Sequence, residues 1–266
     1  VDTLPVLPRD ATDRNRTSPF AFTGNKFEFR APGSAQSCAG PMMTLNTIVA
    51  EAFDSLAEEL SSFAPEAFLA QLQETLKRRI SEHKRIIFNG DNYSEEWVKE
   101  AERRGLPNLK NTMTALHTLV NEKNVALFEK YGVFSRRELE SRFEIFLEEY
   151  HRRIRIEGRL SWEMAATIIL PALRNEYKQT VSALSRALDA KRTNGTAALQ
   201  KLGDKLGGAL DSVVSDLDTL ETALTSCHED ILAAMSRLRT SVDAAETLVN
   251  DRSWPLPKYR EMLFIY

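Results

Sequence analysis

The chain has 266 residues, of which 42% are hydrophobic and 27% are charged, and its formal net charge is −3. This composition is typical of a globular protein with one large domain or two modest ones. Without a dominant basic face, the sequence gives no reason to expect a nucleic-acid partner. No stretch approaches the roughly 20 consecutive apolar residues of a membrane span, and no basic region followed by an apolar run predicts a secretory signal.

The two cysteines, Cys38 and Cys227, lie far apart and match no metal-ligand spacing. We interpret them as unpaired thiols of a protein in the reducing cytoplasm, and we expect both to be small buried side chains. The sequence begins with Val1 rather than Met, and its opening residues read like the middle of a longer chain. We therefore predict a fragment of a larger protein.

Residues 1–40 contain four prolines and three glycines that forbid a long helix. Within them, residues 26–30 alternate polar and apolar, which predicts a strand with Lys26, Glu28 and Arg30 on one face. A lone strand of this length is unstable, so it needs partner strands that the chain does not obviously supply.

After Pro41 the spacing of apolar residues predicts helices. The first helix has an apolar stripe, and a second runs from Pro65 to about Ile87 with a stripe of its own. The first stripe is Leu45, Ile48, Val49, Ala52, Phe53, Leu56 and Leu60, and the second is Phe68, Leu69, Leu72, Leu76 and Ile80.

Helix-capping residues divide the next part of the chain. Ser94 is a candidate N-cap for a short helix that ends before Gly105. Helices follow at about 109–131, and Ser135 with Glu138 has the spacing of a capping box that opens a helix running towards Gly158.

The last third repeats leucine and valine at heptad-like spacing, first over residues 177–188, then over 199–224 and again over 231–249. Such a seam buries itself against a neighbouring helix. The break near Ser226 to Asp230 is short, so the two final helices are expected to run antiparallel, after a turn at Asn194-Gly195. The apolar tail that follows, with Trp254, is expected to pack back on the body.

These patterns predict a mainly α protein. Its features are a helical bundle with a long antiparallel helical hairpin at about 161–250, an extended tail at 251–266 and a short N-terminal β and loop segment. The leucines are interpreted as bundle packing rather than as a cofactor site.

Most catalytic motifs are absent, including a Walker-type loop, a Gly-x-Ser-x-Gly elbow and a His-Glu-x-x-His pair. The four histidines fall on separate predicted helices without ligand spacing, and we interpret each as a surface or helix-end residue. What remains is the face of Lys26, Glu28 and Arg30. On a solvent face it is an ordinary ladder of ion pairs. In a barrel lumen, the carboxylate could hold a divalent cation while the cations clamp phosphate or carboxylate.

The run from Asp13 to Arg30 resembles the motif near the end of the catalytic domain in type III glutamine synthetases. The flanks at 4–8 and 46–51 are similar as well, as are 97–101, 105–109 and 254–259. The resemblance covers nearly the whole chain and is weakest across the leucine-rich hairpin. It implies that residues 1–62 end the catalytic domain and that 63–266 form a C-terminal helical domain.

The resemblance also implies roles for four residues. Glu28 matches the strand glutamate that helps to hold a catalytic Mg²⁺ or Mn²⁺, and Arg16 matches the arginine that contacts ATP phosphate and substrate. Arg30 matches the arginine that reaches the glutamate substrate near the transferred phosphoryl group, and Lys26, a looser match, lies where another family cation faces the nucleotide. The sequence departs from the family at Ala21, where other branches carry a second arginine, so no nucleotide contact is assigned there.

The implied reaction joins ammonia to glutamate with ATP, and the implied assembly is a homo-oligomer of stacked hexameric rings, with no nucleic-acid or membrane partner. The family's other metal ligands are missing from this sequence, so the chain alone is expected to be inactive. Two alternatives stay open. Residues 160–250 could be an assembly or regulatory helical bundle with residues 1–40 as a vestige, which deletion of about 195–250 in the full-length protein would test. The protein could also be a purely structural coiled coil.

Overall fold

The structure is a computed structural model that describes residues 20–22, 27–29, 33, 36–88 and 94–263, with the two strands and positions 259–260 described by their backbone alone. Two short strands, β1 (Phe20–Phe22) and β2 (Phe27–Phe29), pair antiparallel in the register Phe20–Phe29, Ala21–Glu28 and Phe22–Phe27. The strand predicted over residues 26–30 overlaps β2. Its membership of a glutamine synthetase barrel stays a prediction.

All the other described elements are helical, as the sequence predicts. The α-helices are α1 (Ala39–Ser61), α2 (Phe68–His83), α3 (Glu95–Arg103), α4 (Thr112–Leu116), α5 (Glu122–Lys130), α6 (Arg136–Met164), α7 (Leu170–Asp189), α8 (Thr196–Ala223), α9 (His228–Glu246) and α10 (Tyr259–Leu263). Short 3₁₀ turns at Pro65–Ala67, Lys84–Ile86 and His117–Val120 join some of them. The mainly α fold class is therefore confirmed.

The predicted caps are present. The Ser94 hydroxyl accepts the backbone N–H of Trp97 at 3.4 Å and so begins α3. At the start of α6, the backbone N–H of Ser135 donates to Glu138 at 2.8 Å, and the Glu138 N–H donates back to the Ser135 hydroxyl at 3.4 Å. The predicted stop at Gly105 is also confirmed, because Gly105 has a φ of +68°, which a residue with a side chain adopts at a cost.

The chain divides into two compact units, the first ending at Glu144 and the second beginning at Ile145. In the first unit, the described buried apolar residues are few: Val125, Phe128 and Leu139, with Met43, Leu119, Val133 and Phe134 packed around them. Helix α1 reaches α5 in this unit. The predicted limit of the catalytic domain at residue 62 is a separate matter and stays a prediction.

The second unit has an extensive apolar core. Helix α8 runs antiparallel to α7, because Gly203 lies beside Thr180 while Gly207 lies beside Tyr177. Helix α9 turns back on α8, and the Ser241 hydroxyl donates to Asp216 across this pair. The predicted antiparallel hairpin is therefore present, with α7 completing a three-helix arrangement. The turn before α8 contains Gly195 at a φ of +88°, as expected for Asn194-Gly195.

The end predicted for the helix that starts at Ser135 is wrong. Helix α6 passes through Gly158, and a π-helical turn at Ala165–Ile169 joins it to α7, so the helical path continues to Asp189. Gly158 does not end a helix here. Its missing side chain allows close packing, since a Cβ atom at this position would lie 2.7 Å from a methyl group of Ile231.

The π-turn has a local cause in Pro171. A proline inside an α-helix has no N–H to donate, and its ring crowds the carbonyl four residues earlier. The wider turn over Ala165–Ile169 comes immediately before the proline and lets the helix continue past it. The tail then packs on the core of the second unit, where Trp254 is only 6% exposed and Leu256 is partly buried. The tail expectation holds as far as Leu256, while Met262 and Leu263 are exposed.

Candidate functional site

The site predicted from the N-terminal motif is only partly within the described residues. Glu28 is the middle residue of β2, where its register partner is Ala21, the position at which the sequence departs from the family pattern. Arg16, Lys26 and Arg30 lie outside the described residues. The catalytic and binding roles of these four residues therefore stay predictions.

A polar cluster joins α1 to the end of α5. The ammonium group of Lys130 lies 2.6 Å from a carboxylate oxygen of Glu51. The Tyr131 hydroxyl lies 2.9 Å from the same oxygen and 2.7 Å from Asp54. Burial, together with the two carboxylates, raises the pKa of Tyr131, while the bond from Lys130 lowers the pKa of Glu51. The Tyr131 hydroxyl thus stays protonated and acts as a hydrogen-bond donor to the carboxylates. The cluster therefore holds α1 in place and is not poised for proton transfer.

A second cluster connects α1 with α2. Glu59 accepts hydrogen bonds from Arg79 at 2.8 Å, from Arg78, and from the Thr75 hydroxyl at 3.1 Å. The guanidinium groups of Arg79 and Arg78 lower the pKa of Glu59 to about 2. The carboxylate is therefore ionised at any ordinary pH, which suits a fixed ion pair rather than a general acid or base.

The stretch at 97–101, which belongs to the family resemblance, has a structural role in the described region. The Trp97 ring stacks on Phe88 with a centroid distance of 4.4 Å. Glu100 pairs with Arg103 and Arg104, which lower its pKa to about 2. Arg104 also donates to the backbone carbonyls of Arg85 and Ile87 at 3.0 and 2.7 Å. These contacts hold α3 against the segment that follows α2.

Two histidines that are far apart in the sequence lie side by side in the structure. The rings of His151 in α6 and His228 in α9 stack with a centroid distance of 4.6 Å, and Nε2 of His228 lies 2.9 Å from a carboxylate oxygen of Glu229. Nε2 of His151 is buried and has no hydrogen-bond partner among the described residues. The two residues are 77 positions apart, and no spacing rule links them. Only the packing of α6 on the start of α9 does so.

Both cysteines were expected to be buried, and this was wrong. Cys38 and Cys227 are free and exposed. Cys38 immediately precedes α1, and Cys227 immediately precedes α9. In the described ranges, no group of three or more histidine, cysteine or acidic residues is arranged to hold a metal ion. None of the described helices is both long and apolar enough to cross a membrane.

Two open cavities lie in the second unit. One of about 800 Å³ follows the groove between α8 and α9 and is lined by polar residues such as Asp211, Asp218 and Arg237. The other, of about 730 Å³, lies between the π-turn, α9 and the tail, with Ile169, Val242, Trp254 and Met262 in its lining. Both linings contain hydroxyl, carboxylate and basic side chains, but each cavity is an open groove, and we assign neither a catalytic role.

Comparison with known proteins decides the family. Residues 71–189 match the sequence model of the glutamine synthetase C-terminal domain. Over 281 aligned positions, the chain is 37% identical to the type-3 glutamine synthetase of Dictyostelium discoideum. It is 37% identical to a glutamine synthetase of Butyrivibrio fibrisolvens and 32% identical to that of Bacteroides fragilis (strain YCH46). The alignments cover 97–98% of this chain. The chain belongs to the type III glutamine synthetase family.

The chain spans 38–39% of the length of the curated relatives it matches. The match to the C-terminal domain of glutamine synthetases ends at Asp189, which is also the last residue of α7. The hairpin of α8 and α9 thus lies beyond that domain model. This agrees with the sequence comparison above, in which the resemblance is weakest across the leucine-rich region.

Proposed function

We propose that this chain is the C-terminal portion of a glutamate–ammonia ligase, which forms glutamine from glutamate, ammonia and ATP. The observation that supports the proposal is the alignment of 98% of the chain with a type-3 glutamine synthetase at 37% identity. The same relationship makes a cytoplasmic homo-oligomer of stacked hexameric rings the expected form of the full-length protein.

The proposed reaction has two steps. The γ-phosphoryl group of ATP is transferred to a side-chain carboxylate oxygen of glutamate, which releases ADP. Ammonia then attacks the acyl carbon of the glutamyl phosphate, the carbon–oxygen bond to phosphate breaks, and a proton leaves the nitrogen. In the first step two anions must approach each other, so cationic groups that are fixed in place lower the barrier.

The N-terminal motif supplies candidates for this work. Arg16 would contact ATP phosphate and substrate, Arg30 would lie near the transferred phosphoryl group, and Lys26 would face the nucleotide. The carboxylate of Glu28 has the oxygen donors that Mg²⁺ or Mn²⁺ prefers, and such an ion would neutralise phosphate charge. The other ligands of this ion would come from parts of the protein outside this chain, so the 266-residue chain is expected to be inactive.

The test replaces Glu28 by Gln in the full-length protein, which keeps the size of the side chain and removes its charge. We expect turnover in a coupled ADP-release assay to fall on the order of 10²-fold, as for other groups that stabilise transition-state charge. The matched control is Glu100→Gln, because Glu100 pairs locally with Arg103 and Arg104 in α3. It should leave turnover within about twofold, since that pair serves structure rather than catalysis.

The proposal for Glu28 is wrong if Glu28→Gln and Glu100→Gln have the same turnover. Glutamine formation by the purified 266-residue chain would contradict the expectation that this chain supplies only part of the site.

A further inference from the structure

The cavity between the π-turn, α9 and the tail, named here the tail cavity, has the size and the floor of a small-molecule site. Its volume of about 730 Å³ lies within the roughly 300–1,000 Å³ that is usual for ligand pockets. Its apolar floor includes Ile169, Leu238, Val242 and Trp254, which are at most 8% exposed and belong to the core of the second unit. Because packing already fixes these side chains, a ligand would not have to order them.

The π-helical turn forms one wall of the tail cavity. Ala165 and Ile169, the first and last residues of the turn, both lie in its lining. Pro171 accounts for the wider turn, and the turn in consequence shapes this wall. Turns of this kind within α-helices occur frequently at functional sites. The wall therefore gives a second reason, besides the apolar floor, to consider a ligand here.

The charged side chains of the tail cavity have an excess of carboxylates. Arg239 lies 2.7 Å from Asp243, and Lys258 lies 2.6 Å from Asp251, so both cations already have an acidic partner. Glu246, the last residue of α9, also lines the cavity and is exposed. It has no ion-pair or hydrogen-bond partner among the residues that the structure describes. The lining thus offers a ligand a carboxylate that is not already paired.

We propose that the tail cavity binds a small amphipathic cation, which has an aromatic or branched apolar body and a protonated primary amine. The body would rest on the floor at Val242 and Trp254, and the amine would pair with Glu246. An ammonium group has three hydrogen-bond donors and no acceptor, so it also suits the hydroxyl oxygens of Ser161 and Ser236 in the same lining.

An anionic ligand fits this cavity poorly, because the cations of its lining are held by Asp243 and Asp251. A cation gains in addition from the face of an indole ring such as that of Trp254. The chemistry of the lining therefore selects for positive charge on an apolar body. The proposal does not depend on the ligase reaction proposed above.

Isothermal titration calorimetry at pH 7 tests the proposal with three probes of similar size. These are 2-phenylethylamine, the neutral 2-phenylethanol and the anionic 3-phenylpropanoate. For a ligand this small we expect the amine to bind with a Kd of about 0.1–1 mM. The alcohol should bind about fivefold more weakly, as is usual when one exposed ion pair is lost, and the carboxylate more weakly still.

Two substitutions locate the binding. Glu246→Gln should weaken binding of the amine about fivefold and leave binding of the alcohol unchanged, since it removes the charge alone. Its matched control is Asp218→Asn, which removes an exposed carboxylate from the groove between α8 and α9 and should change neither affinity. Ser161→Phe fills the tail cavity and should abolish binding of both probes. Ser215→Phe makes the same change in the other groove and should have no effect.

The titrations are made on the 266-residue chain and on the full-length protein. Equal affinity for the amine and the alcohol would overturn the proposal, as would binding of the amine that Glu246→Gln and Ser161→Phe leave unchanged. Binding by the short chain alone would overturn it too, because another part of the protein would then cover the cavity. The heat of binding is measured without turnover, so this result stands apart from the Glu28→Gln assay.

Discussion

Each of the two units of this chain is held together internally by a different kind of contact. In the second unit, α7, α8 and α9 bury residues such as Leu173, Leu220 and Ile231, each at 0% exposure. In the first unit, α1 is attached largely through its carboxylates, which bond Lys130, Tyr131 and arginines, while Ile48 and Phe53 of its apolar stripe are exposed. The second unit therefore supplies its own core, whereas the described part of the first unit buries few apolar residues and exposes several apolar side chains of α1 and α2.

This difference determines how much stabilisation each unit obtains from its own apolar residues. Burial of apolar area is the main stabilising contribution in folding, at about 25 cal/mol per Å². The second unit obtains this contribution from its own helices. Ion pairs near the surface, such as those of Glu51 and Glu59, are screened by water and contribute too little to replace a core. The first unit is thus expected to gain most from its neighbours.

The largest effect is expected from a substitution that creates a cavity in the core of the second unit. Leu220→Ala removes a fully buried side chain from the last turn of α8. We expect a loss of about 3 kcal/mol in the free energy of unfolding of this unit, as for other buried leucines. Urea unfolding followed by the fluorescence of Trp254, which is buried in the same core, measures it.

Leu188→Ala is the control for this cavity, because Leu188 is largely exposed. It should change the free energy of unfolding by less than about 0.5 kcal/mol. Equal effects of the two substitutions would contradict the view that the second unit is held by its apolar interior.

A smaller effect is expected at the contact of α6 with α9. Gly158→Ala places a Cβ atom 2.7 Å from a methyl group of Ile231 and 3.1 Å from one of Leu224. Both neighbours belong to the packed core, so the added methyl group should cost about 1–2 kcal/mol despite the better helix propensity of alanine. Thermal unfolding monitored by circular dichroism measures this loss.

Gly208→Ala in α8 makes the same chemical change where nothing lies within 4 Å of the new Cβ atom. It should stabilise the unit by about 0.5–1 kcal/mol, through helix propensity alone. Stabilisation by both substitutions would show that α6 does not press on α9 as the structure indicates.

Local signals made much of this fold predictable. Ser94, Gly105 and the pair Ser135–Glu138 act on their own backbone neighbourhood, and each performs the predicted role. The heptad spacing of α8 and α9 was equally informative because both helices bury their stripes. The same spacing in α1 and α2 marked the apolar sides of both helices but could not show that several of these residues are exposed, since exposure depends on contacts between distant residues.

The features that sequence reasoning missed depend on contacts between distant residues. Gly158 was interpreted as a helix end, although its missing side chain instead allows Ile231 of α9 to pack closely against α6. The stacking of His151 with His228 follows from the same contact. The N-terminal site had a different basis, because Arg16, Lys26, Glu28 and Arg30 were identified by resemblance to a family motif. The family is confirmed, whereas the roles of these residues await the Glu28→Gln assay.

The smallest expected effect concerns the ion pairs of the first unit. Arg79 and Arg78 hold the pKa of Glu59 at about 2, below its ordinary value of 4.5. A carboxylate with a lowered pKa stabilises the folded state fully above its unfolded pKa, and this contribution is lost as the pH falls through the folded value. The contact between α1 and α2 should therefore weaken between about pH 4.5 and pH 2. Hydrogen exchange of the α1 and α2 amides across this range measures the change.

In Glu59→Gln, the α1–α2 contact should already be weak at pH 6, and its dependence on pH in this window should disappear. Glu100→Gln is the matched control, since Glu100 has a pKa lowered to the same value but pairs with Arg103 and Arg104 next to it in sequence. It should leave exchange in α1 and α2 unchanged. If Glu59→Gln also leaves that exchange unchanged, the two helices are held by something other than their polar sides, and the contrast between the two units fails.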